Sequence, residues 1–116
     1  MGKNRVVITG LGVISPVGND ISSFWSSLVE GKGGVGPLTS FDPTNFDSRI
    51  AAEVKGFDPS SVGMDHKEAR RTAKFVQYAV AASHQAIASS GLDLNKEDKE
   101  RIGVLIGSGI GSLYTI

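Results

Sequence analysis

Apolar residues change their spacing from one stretch of the chain to the next, and each change marks a predicted element. From Arg5 to Thr9, Val6, Val7 and Ile8 form a continuous apolar run ending at Gly10, the pattern of a buried strand. The spacing then becomes helical. Ile21, Phe24, Trp25, Leu28 and Val29 fall at i, i+3, i+4, i+7 and i+8, with Asp20 as N-cap and Gly31 as C-terminal stop. Residues 31–48 have no period and read as loop. In "RIAAEVKG" a short strand is expected. "FDPT" at Phe41 and "FDPS" at Phe57 each read as an Asp cap with Pro in the first helical position. The longest helix is predicted to start at Asp65, paired with Glu68 as a capping box, and to run unbroken to Ser90 before Gly91. Ile102–Ile106 repeats the buried-strand pattern and again ends in glycines. Strand, helix, long helix, strand implies an α/β fold with parallel strands.

Composition narrows the function. Lys plus Arg is 12 and Asp plus Glu is 12 over 116 residues, so no overall field attracts nucleic acid or an anionic membrane. The absence of cysteine excludes disulfides, Cys-ligated zinc and a thiol nucleophile within the chain. The first apolar run is too short for a signal peptide, and Val6 stands where N-myristoylation at Gly2 requires Ser or Thr. With no stretch long enough to span a bilayer, a cytoplasmic protein is expected. The chain stops at the apolar "SLYTI", which reads as the front of a larger protein.

Two glycine turns invite a nucleotide-binding reading. Gly10 and Gly12 fit the start of a dinucleotide fingerprint, but Ser15 holds the third position and the helix waits until Asp20. Gly107, Gly109 and Gly111 lack the Lys-Ser or Lys-Thr of a phosphate loop. Close chain approach or left-handed backbone is the simpler account, above all for Gly10 and Gly12. Ile110 stands alone between glycines and should project where the backbone is crowded.

The long helix carries the sharper signal. At 100° per residue, Lys67, Arg70, Arg71 and Lys74 share an arc of about 100°. Cations near a helix N-terminus oppose its dipole and repel one another, so a solvated face competes here with a binding face for an acidic protein. A duplex nucleic acid would need a wider basic footprint. His66 is expected in solvent and His84 in the core; they are too isolated to ligate a metal together.

"RVVITGLGVISPVGND", "FDPTNFDSRIAAEV", "HKEARRTAKFVQYAVAA" and "RIGVLIGSGIGSL", in that order, resemble the opening of the β-ketoacyl-acyl carrier protein synthases of type II. The resemblance covers essentially the whole chain. It implies that residues 1–116 are the N-terminal segment of the first half of a thiolase-like α/β/α/β/α layered fold. It implies a cytoplasmic (in a plant, plastid) homodimeric enzyme that elongates acyl chains by decarboxylative Claisen condensation with malonyl-carrier protein, without cofactor or metal. The partner is acyl- and malonyl-loaded acyl carrier protein, not nucleic acid or membrane. The catalytic Cys and two His are expected beyond residue 116, and the segment alone is expected to be inactive. Lys67, Arg70 and Arg71 match carrier-docking positions, and Ile110 matches a residue lining the acyl pocket. One departure stands out: the family usually has Met-Asp after the basic pair, where this chain has Thr72 and Ala73. That removes a partner for the neighbouring cations. A stand-alone, non-enzymatic module for an acidic partner, or a small nucleotide-binding domain, would be the competing readings.

Overall fold

Asp20 begins helix α1 (Ile21–Val29) as the sequence predicts. Its backbone is extended, and its Oδ1 accepts the Ser23 N–H at 2.9 Å. The other end closes through two backbone bonds, Gly31 N–H to the Leu28 carbonyl and Lys32 N–H to that of Ser27. Gly31 sits at φ +67°, so this left-handed closure favours glycine. The structure, a computed structural model, describes residues 3–112. Gly2 and the Leu113–Ile116 end of "SLYTI" lie outside them. The chain divides into two compact units: Val13–Asp58, and the residues up to Gly12 together with those from Pro59 onward.

In the Val13–Asp58 unit, Ser15 and Gly18 close a tight turn around Pro16 and Val17 with reciprocal backbone hydrogen bonds, which delays the helix to Asp20. Strands β1 (Val35–Pro37) and β2 (Ile50–Ala52) pair antiparallel, Gly36 opposite Ala51. The second lies inside the segment predicted as a short strand. Glu53, just past β2, grips the chain after β1 by accepting from the Thr39 and Ser40 N–H groups, both at 2.9 Å. Hydrogen bonds from Ser40 and Thr39 hold its carboxyl at about 2. "FDPT" makes a turn in which Asp42 accepts the Thr44 N–H, whereas "FDPS" does open a short 3-10 helix, Pro59–Val62. The apolar stripe of α1 departs from expectation: only Phe24 is half-buried, and Trp25 and Val29 are 64% and 70% exposed.

The other unit is organised around two helices where one was predicted. Helix α2 (His66–Arg71) and helix α3 (Lys74–Ser90) are separated by Thr72 and Ala73, both extended. Among its described residues, Met64, Ala81 and Gln77 are buried. The Gly10–Gly12 segment lies on α3. The Leu11 N–H donates to Ser89 Oγ at 3.0 Å, and Ser89 Oγ donates to the Leu11 carbonyl at 3.1 Å. A Cβ at Gly10 would collide with the Ala86 carbonyl, and one at Gly12 with that of Ala82. These glycines serve close approach to a helix, which leaves no room for a phosphate there.

Both predicted buried strands are corrected. Residues 5–9 and 102–106 are not strands, and they are exposed: Val6 90%, Ile8 82%, Val104 83% and Leu105 99%. A strand exists only where a neighbour takes its backbone hydrogen bonds, and neither segment has one among the described residues. Among the described residues the sheet pairing is instead the two-stranded antiparallel β1–β2. No helix among the described residues is long and apolar enough to cross a membrane.

Candidate functional site

Asp65 starts α2 by accepting the N–H groups of Lys67 and Glu68 on one oxygen, at 2.8 and 2.7 Å. Six residues later the helix stops. The Thr72 hydroxyl donates back to the Glu68 carbonyl at 2.8 Å, a local bond that competes with continuing the helix. The freed carbonyls find a donor in Gln77, whose Nε2 reaches Ala69 O at 2.8 Å and Thr72 O at 2.7 Å. Gln77 is only 2% exposed, and its Oε1 accepts no hydrogen bond. At the head of α3, Ala73 takes the N-cap position without a side chain able to cap it.

This break changes the electrostatic argument. Arg70 and Arg71 fall in the last turn of α2, where cations favour the helix dipole; only Lys67 and Lys74 stand in first turns. Dipole opposition therefore supports a binding face less than an unbroken helix would. Exposure supports it more. Lys67, Arg70, Arg71 and Lys74 are all exposed, and none has a carboxylate within ion-pairing distance among the described residues. Arg70 Nε donates only to the His66 carbonyl, at 3.3 Å.

The basic residues border an open cleft of about 1030 Å³, contained within this unit. His66, Arg70, Arg71 and Lys74 contribute to its lining, together with Phe75, Gln77, Tyr78 and Ile110. Burial pushes the Tyr78 hydroxyl up from its ordinary value. Ile110 projects as expected, 79% exposed, but not from crowded backbone: the space around Gly107 and Gly109 is open. Gly111, at φ +80°, turns the chain there, and its N–H donates to Ser108 Oγ.

Of the four predicted site residues, Arg70, Arg71 and Ile110 meet in this cleft, and Lys67 lies on α2 outside its lining. Lys74 belonged to the basic arc but was not singled out. The apolar floor from Phe75 and Tyr78 carried no separate sequence signal, since aromatic residues on a helix read as core. His66 is exposed, as expected; His84 is exposed too, which corrects its assignment to the core, because its side of α3 is uncovered.

Comparison with known proteins bears on this geometry. Residues 3–115 match the model of the beta-ketoacyl synthase N-terminal domain. The chain is 52% identical over 113 residues to 3-oxoacyl-[acyl-carrier-protein] synthase 2 of Coxiella burnetii, covering 97% of this chain and 27% of that protein. It is 50% identical over 116 residues to the synthase 2 of Vibrio cholerae, covering 100% and 28%. Among solved structures, the ishigamide ketosynthase/chain length factor matches with a TM-score of 0.72 at 35% identity, over 81% of this chain and 23% of that one. The chain thus spans little more than a quarter of the curated relatives it matches. The α/β layered fold expected from the sequence agrees with that structural likeness. A match over nearly every residue, at this identity, means that the chain belongs to the beta-ketoacyl synthase family, in its N-terminal domain.

Proposed function

We propose that this chain is the N-terminal segment of the first thiolase-like half of a 3-oxoacyl-acyl-carrier-protein synthase. That protein would elongate acyl chains by joining a carrier-bound malonyl unit to an acyl-enzyme, as a homodimer in the cytoplasm or, in a plant, the plastid stroma. The relatives' names support the activity and the carrier-protein substrate. The segment has no cysteine, so the thiolate nucleophile such a condensation uses would lie elsewhere in the protein. The role of this segment is recognition: Lys67, Arg70 and Arg71 dock the acidic carrier protein, and Ile110 forms part of the wall for the acyl chain.

One observation carries the reading. Exposed cations without carboxylate partners among the described residues border a cleft whose floor includes Ile110. Such a rim steers an acidic partner and fixes its register. Reversing Lys67 and Arg71 together to Glu is expected to raise the KM for carrier-bound substrate by about tenfold or more, relative to a carrier-free acyl thioester measured in parallel. Equal loss on both substrates would sink the docking assignment. Ile110→Phe is expected to shorten the longest acyl chain accepted, and an unchanged chain-length profile would remove Ile110 from the pocket wall.

A further inference from the structure

Helix α2 has six residues, too few to hold a helix or its direction in water unaided. Yet it carries Lys67, Arg70 and Arg71, which can address one partner together only from a fixed place beside Lys74 on α3. The link between the helices is two extended residues, Thr72 and Ala73, and no side chain caps α3 to stiffen it. The side chains of Asp65 and Thr72 bond to the backbone of α2 itself, so they shape this helix without aiming it. The Pro59–Val62 turn packs on both helices, and Gln77 adds a directional tie. From the first turn of α3, its Nε2 donates to Ala69 O, inside α2 and one residue before Arg70, and to Thr72 O in the link. Two bonds from one planar amide fix an angle as well as a distance. Its Oε1 accepts no hydrogen bond, although the side chain is only 2% exposed. A buried acceptor without a partner opposes folding, so the donor end alone accounts for an amide here, and both of its bonds serve the junction.

We propose that Gln77 is a positioning residue for carrier recognition, fixing the angle at which α2 presents Lys67, Arg70 and Arg71 beside Lys74. It acts through those cations, and the inference rests on the docking reading above. Without the amide, α2 pivots on Thr72 and Ala73, and the same charges meet an acidic surface in many geometries instead of one. The overall attraction survives, but the cost of ordering α2 moves from folding to binding. Complementary charges set register only where they are themselves held in place.

The test uses the full-length protein carrying this chain, with circular dichroism to verify that each variant folds. Gln77→Leu is expected to raise the KM for carrier-bound substrate about fivefold, relative to a carrier-free acyl thioester measured in parallel. The kcat on carrier-bound substrate should fall by less than its KM rises. A merely structural role would depress both substrates together. Adding Ala73→Ser to Gln77→Leu supplies an uncharged cap for α3 but leaves the Ala69 carbonyl untied. Thermal stability should then recover in part while the carrier KM stays raised; where Gln77→Leu alone does not fold, this capped variant carries the same comparison. With Lys67→Glu and Arg71→Glu already present, Gln77→Leu should change the carrier KM by less than about twofold, because the charges it aims are gone. Wild-type carrier KM in a folded Gln77→Leu, equal loss on both substrates, return of the carrier KM with the new cap, or full additivity with the charge reversal would each overturn the proposal. If the charge reversal raises the carrier KM and Gln77→Leu does not, this inference alone falls. If the charge reversal has no effect on it, the docking reading falls and takes the inference with it.

Discussion

The two long helices begin in opposite ways. α1 starts on Asp20, whose carboxylate takes an N–H of the first turn and whose backbone turns the chain in. α3 is almost twice as long, 17 residues against 9, yet starts on Ala73, which caps nothing. The first start is written in its own neighbours, and so is the glycine-closed end at Gly31. The second is held from inside the helix, by Gln77 reaching back to two carbonyls on the far side of the break. A capped start is local and robust. A start without a cap depends on one buried side chain, and among the described residues it leaves the surrounding cations with no carboxylate in ion-pairing distance.

That comparison breaks most visibly at Gln77. Gln77→Leu keeps the volume roughly constant but removes the donor from the carbonyls of Ala69 and Thr72 in a nearly water-free position. A loss of about 2–3 kcal/mol is expected in denaturant unfolding, with faster amide exchange across α2. Unchanged stability would mean that the break is held by something other than this side chain, and the contrast between the two helix starts would collapse.

The contrast also marks what the sequence made legible. α1 could be placed to the residue because its cap, its apolar spacing and its closing glycine are all local. The close-packing role of Gly10 and Gly12 followed from the missing third glycine and the late helix, although no pattern could say that α3 was the surface they approach. The break at Thr72 was hidden, because a wheel drawn from Asp65 to Ser90 is indifferent to two extended residues within it. The place was nevertheless marked by the departure from the family's Met-Asp, at the position that caps α3. Val6–Ile8 and Ile102–Ile106 were misread for a different reason: an apolar run shows appetite for a sheet, but its neighbours must come from elsewhere in a fold. At the site, charge spacing found Arg70 and Arg71. The apolar floor escaped, since Phe75 and Tyr78 reach the cleft through a turn of chain more than 30 residues away, at Ile110.

A smaller effect, of opposite sign, is expected from restoring a cap. The Ala73 backbone is already in the extended conformation of an N-cap and borders an open cleft, so Asp fits there without rearrangement. Ala73→Asp should stabilise the protein by about 1 kcal/mol in the same unfolding measurement. It should also weaken carrier docking several-fold, because the new carboxylate sits among Arg70, Arg71 and Lys74. Greater stability with unchanged binding would show that the two consequences of the missing cap are separable.

The smallest effect separates the two starts by pH. Hydrogen bonds from Ser23 hold the Asp20 carboxyl below its ordinary 3.8. A depressed carboxylate contributes its stability at pH values above the unfolded-state value and loses it as pH falls through the folded one. The first turn of α1 should therefore loosen on the acid side of pH 3.8. The first turn of α3 has no side-chain cap to protonate. Amide exchange, corrected for its intrinsic pH dependence, reads this at Ser23 in α1 and at Val76, whose N–H bonds to the Ala73 carbonyl at 3.0 Å. Protection at Ser23 should fall as pH drops below 3.8 while Val76 holds level. In Ala73→Asp, Val76 should acquire the same acid sensitivity, since a carboxylate would then stand at both helix starts. Parallel loss at both amides in the unaltered protein would mean that acid loosens the whole chain, and that Asp20 is not what sets the first helix apart.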